Sequence, residues 1–251
     1  MKFNTKCVHG SGKPDSTGAI SPAIYMSSTF SHPKLGDTTG YQYTRESNPT
    51  RDRLEQLIAG LEDGKDALAF SSGMAAVDAV FHLFSPGDHI ILGDDLYGGS
   101  IRMFTNIYEQ NGIEFTYVGT SDLDAVKAAF KPNTKAVYIE TPTNPMMEIT
   151  DIRALCTLAH DRNALVIIDN TFLSPYFQKP LNLGADIVVH SGTKFIGGHH
   201  DVISGFTIVN DDELAAKLRL TYKTVGACLS AMDSWLVIRG VKTLALRMEQ
   251  H

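Results

Sequence analysis

Several things this sequence has little of narrow its possible roles. Cysteine is scarce: Cys7, Cys156 and Cys228 are odd in number and far apart, which excludes a disulfide-built scaffold and points to a reducing compartment. Basic charge is in deficit, with 22 Lys and Arg against 28 Asp and Glu and a net charge of −6, so the chain lacks the electrostatic footprint of a nucleic-acid or anionic-membrane binder. No apolar run approaches the roughly 20 residues that span a bilayer. The start, Met1-Lys2-Phe3-Asn4-Thr5-Lys6, carries no apolar signal region. A cytoplasmic protein with no nucleic-acid or membrane partner is the expectation. Internal repeats and low-complexity tracts are missing as well. So are the Gly-x-x-x-x-Gly-Lys-Ser/Thr phosphate loop, a Gly-x-Gly-x-x-Gly after a strand and a Gly-x-Ser-x-Gly elbow, which removes the commonest nucleotide-binding and serine-hydrolase readings.

What is present suits a large packed domain: 251 residues, 43% apolar and 20% charged. Residues 1–46 are rich in Gly, Ser, Pro and Thr with little periodicity and read as an extended arm lying on another subunit or on the main domain. From Asn48 onward strands and helices alternate. Asn48-Pro49-Thr50 opens a helix with Leu54, Leu57, Ile58 and Leu61 on one face. Strands are predicted at 67–70, 89–92, 114–118, 136–139, 165–168, 187–189 and 206–209. Helices are predicted from Ser72 onward, through Phe104 and Ile107, over 123–130, after a Thr150 cap, over 212–223 and as one long helix over 231–249. The alternation gives an α/β fold with a mainly parallel sheet. The domain organisation read from it is an arm at 1–46, a large domain at 47–230 and a linker helix at 231–251.

The chemistry gathers where predicted strands end. Ile187-Val188-Val189 runs into His190-Ser191-Gly192-Thr193-Lys194, followed by Gly197-Gly198. A lysine held on such a loop reads as an amine for imine chemistry, with Ser191 and Thr193 as hydroxyl donors beside it. Leu165-Val166-Ile167-Ile168 ends in Asp169, where open α/β sheets place their ligands. An Asp there also suits a plain turn or helix cap. Pyridoxal 5′-phosphate (PLP) needs such a pair: an amine for its aldehyde and a carboxylate that keeps its pyridine nitrogen protonated. Ser72-Gly73-Met74 offers backbone N–H groups at a helix start, a ready phosphate site or an ordinary capped turn. Arg45, on the arm, is a further counter-charge for that phosphate. Tyr97 precedes Gly98-Gly99, which frees its ring to stand over a flat ligand. His190, His199, His200 and Asp201 match no helical His pair and no Cys/His zinc spacing, so no metal is expected.

At these residues the sequence resembles the Cys/Met-metabolism branch of fold-type I PLP enzymes, which includes the cystathionine γ-synthases, cystathionine γ- and β-lyases and methionine γ-lyases. The likeness rests on Tyr43-Thr44-Arg45…Asn48-Pro49-Thr50, Ser71 to Ala76, Tyr97-Gly98-Gly99, Glu140-Thr141-Pro142-Thr143-Asn144-Pro145, Asp169-Asn170-Thr171-Phe172 and Asp186 to His200. It implies the aspartate-aminotransferase-like large domain. It implies Lys194 as the cofactor's lysine and proton carrier, Asp169 at the pyridine nitrogen, and Tyr97 as stacking ring and candidate base. Ser72, Gly73, Met74, Ser191 and Thr193 are implied at the phosphate, and Asn144 near the phenolic oxygen. Tyr43 and Arg45 would reach the phosphate of the neighbouring subunit in a homodimer or homotetramer.

The resemblance implies a PLP-dependent C–S lyase acting on cystathionine or a related thioether amino acid. Gly99 stands where methionine γ-lyases resemble one another in having Cys, and Arg102 resembles the cystathionine γ-type members. A γ-synthase-type transferase is therefore the alternative. Gly192 stands where Ala is usual, and His200 where Ser or Asn is. Family members continue into a C-terminal domain whose arginine grips the substrate carboxylate. The end at His251 thus carries the expectation of a missing continuation, with a cofactor-binding but inactive chain as the third reading.

Overall fold

The computed structural model describes every residue except Lys13 and Asp15. Its frame is one seven-stranded sheet: β1 (Asp66–Phe70), β2 (His89–Gly93), β3 (Glu114–Val118), β4 (Thr134–Glu140), β5 (Leu165–Asp169), β6 (Ile187–Ser191) and β7 (Gly205–Val209). The spatial order is β1-β7-β6-β5-β4-β2-β3. The run from β6 to β3 is parallel, while β7 is antiparallel to both β6 and β1. Helices are α1 (Phe3–His9), α2 (Pro49–Glu62), α3 (Gly73–Phe81), α4 (Gly98–Met103), α5 (Leu123–Ala129), α6 (Ile152–His160), α7 (Ser174–Phe177), α8 (Asp212–Val225), α9 (Ala231–Val241) and α10 (Leu244–Gln250).

Helices cover both faces, which is why the inner strands read as continuous apolar runs. On one face α3, α4 and α8 pack over Leu68, Leu92, Tyr138, Ile167 and Val189. On the other, α2, α9 and α10 cover Ala69, Val188, Phe206 and Ile208, and α6 covers Val137, Ile139, Val166 and Ile168. The helix starts obey their sequence signals: Asn48 caps α2, accepting from the Thr50 N–H at 2.9 Å, and Ser72 caps α3, accepting from the Ala75 N–H at 3.1 Å.

Four expectations need correction. Residues 3–9, expected as extended arm, form α1. So short a helix is marginal alone, and tertiary contacts hold it: Cys7 is buried, and Lys6 Nζ donates to Gly60 O at 2.9 Å and pairs with Asp63 at 2.7 Å. The helix through Phe104 and Ile107 changes to a π turn over Phe104–Tyr108. That shift in period leaves Ile107 half exposed and buries Tyr108, whose hydroxyl donates to Asp78 Oδ1 at 2.7 Å. Asp151, not Thr150, caps α6, because the Thr150 hydroxyl is engaged by Thr120 at 2.7 Å. The long helix over 231–249 is two, α9 and α10, parted at Lys242-Thr243 where the Gly240 carbonyl accepts from both the Thr243 N–H and its hydroxyl. Gly240 is required inside α9 because a Cβ there would run into the carbonyl oxygen of Gly197.

Candidate active site

Parallel strands end together, so their last residues meet on one rim. β4 ends in Glu140, its register partner on β5 is Asp169, and β6 ends at Ser191. A cavity of about 260 Å³ opens on that rim. Its walls come from the start of α3 (Ser72, Gly73, Met74), from Tyr97 and Ser100 of α4, from Glu140 and Asn144, from Asp169 and Thr171, and from Ser191, Thr193 and Lys194. Nine sequence-predicted residues thus share one space: Ser72, Gly73, Met74, Tyr97, Asn144, Asp169, Ser191, Thr193 and Lys194.

The details qualify several of them. Lys194 lines the cavity yet is exposed, and among the described residues its amine has no hydrogen-bond or carboxylate partner. The loop beneath it is firmly held: Lys194 N–H donates to Ser191 O at 3.3 Å, Gly198 N–H to Lys194 O at 2.8 Å and Gly197 N–H to Gly192 O at 2.8 Å. Asp169 does make the local turn that its position also allowed, accepting from the Thr171 N–H at 3.0 Å. Its other oxygen accepts from the Tyr138 hydroxyl at 3.4 Å, and the carboxylate's two oxygens still have lone pairs to accept again. Thr193 Oγ1 accepts from the Ser204 N–H at 3.1 Å, while the Ser191 hydroxyl is not so tied.

Tyr43 and Arg45 lie outside this cavity. Tyr43 is half exposed, the Arg45 guanidinium sits 5.4 Å from its ring centre, and Arg45 Nη1 donates to the Lys223 carbonyl. His190 is fully buried behind the rim, with Nε2 2.5 Å from Glu62 Oε1. Gly192, an unusual residue there by resemblance, has a local reason: a Cβ would press on Phe206 and the Ser204 hydroxyl.

Glu140 escaped individual notice in the sequence, although the same signal that singled out Asp169, an acid at a strand's carboxyl end, marks it too. It is 6% exposed and accepts from the Tyr97 N–H at 3.1 Å. Burial, then repulsion by Asp169, pushes its carboxyl up to about 8, against the pull of the Tyr97 N–H.

The donor set fits PLP. Ser72 Oγ serves the Ala75 N–H, so the first-turn N–H groups of Gly73 and Met74 remain for an anion. Gly73 lets that helix start lie against β6, since a Cβ would come within 2.9 Å of Ser191 Cβ. The Lys194 amine and a carboxylate that can still accept complete the set.

Comparison with known proteins agrees. Residues 4–251 match the family described as Cys/Met metabolism PLP-dependent enzyme. The chain is 51% identical over 250 residues to a cystathionine gamma-lyase of Bacillus subtilis (strain 168), covering 99% of this chain and 66% of that protein. It is 50% identical over 250 residues to a cystathionine beta-lyase of Lactococcus lactis subsp. cremoris (strain MG1363), with the same coverages. A crystal structure of cystathionine gamma-lyase from Lactobacillus plantarum complexed with L-serine superposes with a TM-score of 0.96 at 51% identity, covering 98% of this chain and 65% of that one. The chain thus spans about two thirds of the length of these relatives. By residue pattern, fold and similarity it belongs to the Cys/Met-metabolism family of PLP-dependent, fold-type I enzymes.

Proposed function

We propose that this chain carries the cofactor-binding half of a PLP-dependent carbon–sulfur lyase that releases a thiol from cystathionine or a related thioether amino acid. The observation that carries the reading is the meeting of Lys194, Asp169, Tyr97 and the start of α3 in one cavity. When bound, PLP supplies an aldehyde for amines and a protonated ring that draws electrons away from a substrate's α-carbon.

The chain's residues would do the rest. The Lys194 amine would anchor the aldehyde and, when free, would take a substrate's α-proton as general base. Asp169 holds the proton on the ring nitrogen. Gly73 and Met74 N–H groups with the Ser191 and Thr193 hydroxyls would bind the phosphate, Asn144 would serve the phenolic oxygen, and Tyr97 would cover the ring. Tyr43 and Arg45, which do not line their own cavity, would serve the phosphate of a neighbouring subunit in a dimer or tetramer. The domain reading that goes with this is an arm through residue 46, a cofactor domain through 230 and a linker beyond it. Its compartment is the cytoplasm, where free thiols survive.

The test is borohydride reduction of the PLP-loaded protein followed by peptide mass mapping, with product analysis on cystathionine. An adduct on Lys194 is expected; an adduct on another lysine refutes the site. Ammonia with a keto acid from cystathionine alone supports a lyase, and pyruvate against 2-oxobutanoate separates β- from γ-elimination. A strict need for cysteine and a homoserine ester would instead show the transferase. A yellow protein without turnover would show that this stretch binds cofactor but is not a lyase by itself.

A further inference from the structure

Resting on the reading above, we propose that Glu140 is the positioning residue for Tyr97: its buried carboxyl pins the tyrosine's backbone N–H and thereby sets where the phenol ring stands over the cofactor.

Tyr97 has few other anchors. The residue is 51% exposed, and among the described residues its hydroxyl has no hydrogen-bond partner. The ring is therefore steered from its backbone. On the carbonyl side, Ser100 and Ile101 N–H groups donate to Tyr97 O at 2.9 and 3.2 Å. On the amide side, the side-chain bond is the one to Glu140 Oε2 at 3.1 Å. Gly99 completes the constraint, because a Cβ there would run into the Tyr97 ring. The ring thus leans over a bare glycine, with its main chain gripped at both ends.

Glu140 is suited to this task by its place in the sheet. It is the last residue of β4, 6% exposed, and side by side with Asp169 on β5. The same rim therefore carries the acid for the cofactor's nitrogen and the acid that holds the covering ring, and their spacing is fixed by the parallel ladder. Tethering Tyr97 to β4 makes stacking and nitrogen contact part of one rigid unit. The task needs an oxygen acceptor of glutamate length and does not need charge, because burial, and then the neighbouring Asp169, shift the carboxyl toward its neutral form.

The experiment titrates the protein with PLP and records affinity, visible circular dichroism per bound cofactor, and melting temperature, for the wild type and for Glu140→Met, Glu140→Gln and Glu140→Asp. Met fills the space without accepting, Gln accepts without being able to ionise, and Asp keeps the carboxyl but falls one methylene short of Tyr97. Met and Asp should weaken PLP binding about tenfold or more, the scale of one buried donor left unpaired, and should change the dichroism of the cofactor that still binds. Gln should restore affinity to within about threefold of wild type, roughly 0.6 kcal/mol, together with the dichroism. A merely structural brace would lower the melting temperature and leave the dichroism per bound cofactor unchanged, and that result overturns the proposal. Should Met and Asp not fold, Gln alone decides: a tenfold loss refutes the role, and retention supports it. A wild type that binds no PLP would sink the function reading instead, which keeps the two failures distinct.

Discussion

Arg247 on α10 holds the main chain of the Lys194 loop, and its removal is the sharpest test of how that lysine is presented. Nη1 donates to the Phe195 carbonyl at 2.6 Å, Nη2 to the Gly240 carbonyl at 3.0 Å and Nε to Thr243 Oγ1 at 3.1 Å. One planar fork thus joins the residue after Lys194 to both helices beneath it, and a Cβ at Gly198 would run into the guanidinium. Bonds from a charged donor contribute about 1.5–3 kcal/mol each when buried. The side chain here is only partly buried, so Arg247→Met should cost about 3 kcal/mol in all, a large share of the roughly 5–15 kcal/mol that folds such a protein. At this chain length that lowers the melting temperature by about 6–12 °C. Arg247→Lys has one ammonium where the fork has three nitrogens, so it should recover only about 1 kcal/mol. Urea unfolding of the PLP-free protein measures both, with the slope checked for constancy. A Met variant within about 0.5 kcal/mol of wild type, or a Lys variant equal to it, would refute the argument that the three bonds act together.

Four further outcomes are expected. Burial holds Glu55 at about 7 and Glu140 at about 8 in the folded state, above their ordinary value of 4.5; the folded protein then binds more protons than the unfolded one, so their contribution is fully present below about 4.5 and is lost as pH rises through 7 to 8. The urea midpoint of the PLP-free protein should fall between about pH 4.5 and about pH 8, the window of those two acids, and the Glu55→Gln, Glu140→Gln double variant should flatten the slope. Ser72→Ala removes the α3 cap and should cost about 1 kcal/mol in thermal unfolding while also weakening PLP binding; a loss of neither would show that the α3 start is not seated as described. Gly240→Ala, normally a gain of about 1 kcal/mol in a helix, should destabilise instead because the methyl meets the Gly197 carbonyl, and a raised melting temperature would contradict the packing. Mixing a Lys194→Ala protein with an Arg45→Ala protein after unfolding and refolding should restore some PLP reduction product if Arg45 serves a neighbour, and none if it serves only its own chain.

The sequence made the rim of the cavity legible because strand-end chemistry leaves short, ordered signals. Asp169, Lys194 and the Ser72 turn each follow an apolar run, and the structure brings all three to one rim. Thr193 and Asp169 show the limit of residue typing: both line the cavity while making the local bonds that any turn residue makes. What stayed hidden depends on tertiary contacts. Helix α1 has too few residues to announce itself and forms because Lys6 and Cys7 find partners on α2. The π turn at Phe104 arises where Phe81, Tyr138 and Phe104 crowd, with Phe81 and Phe104 stacked at 4.3 Å, and no periodicity encodes such a crowd. The split between α9 and α10 follows from the Gly240 carbonyl finding partners across the break. Glu140 was readable in principle, since it carries the same strand-end signature as Asp169, but its bond to the Tyr97 backbone joins residues 43 apart.

The out-of-sequence place of β7 also has a consequence for synthesis. Among the seven strands, the first made, β1, has as its neighbour the last one made, β7. At translation speeds of roughly 5–20 residues per second, the ribosome needs on the order of ten to thirty seconds to supply the roughly 140 residues between them. Through that interval β1 and the apolar side of α2 wait for their cover, as a sticky half-made surface that chaperones would recognise. Ser72 comes at the start of the same interval and Lys194 near its end, so the walls of the cavity are complete only once the residues through Ile203 have been made.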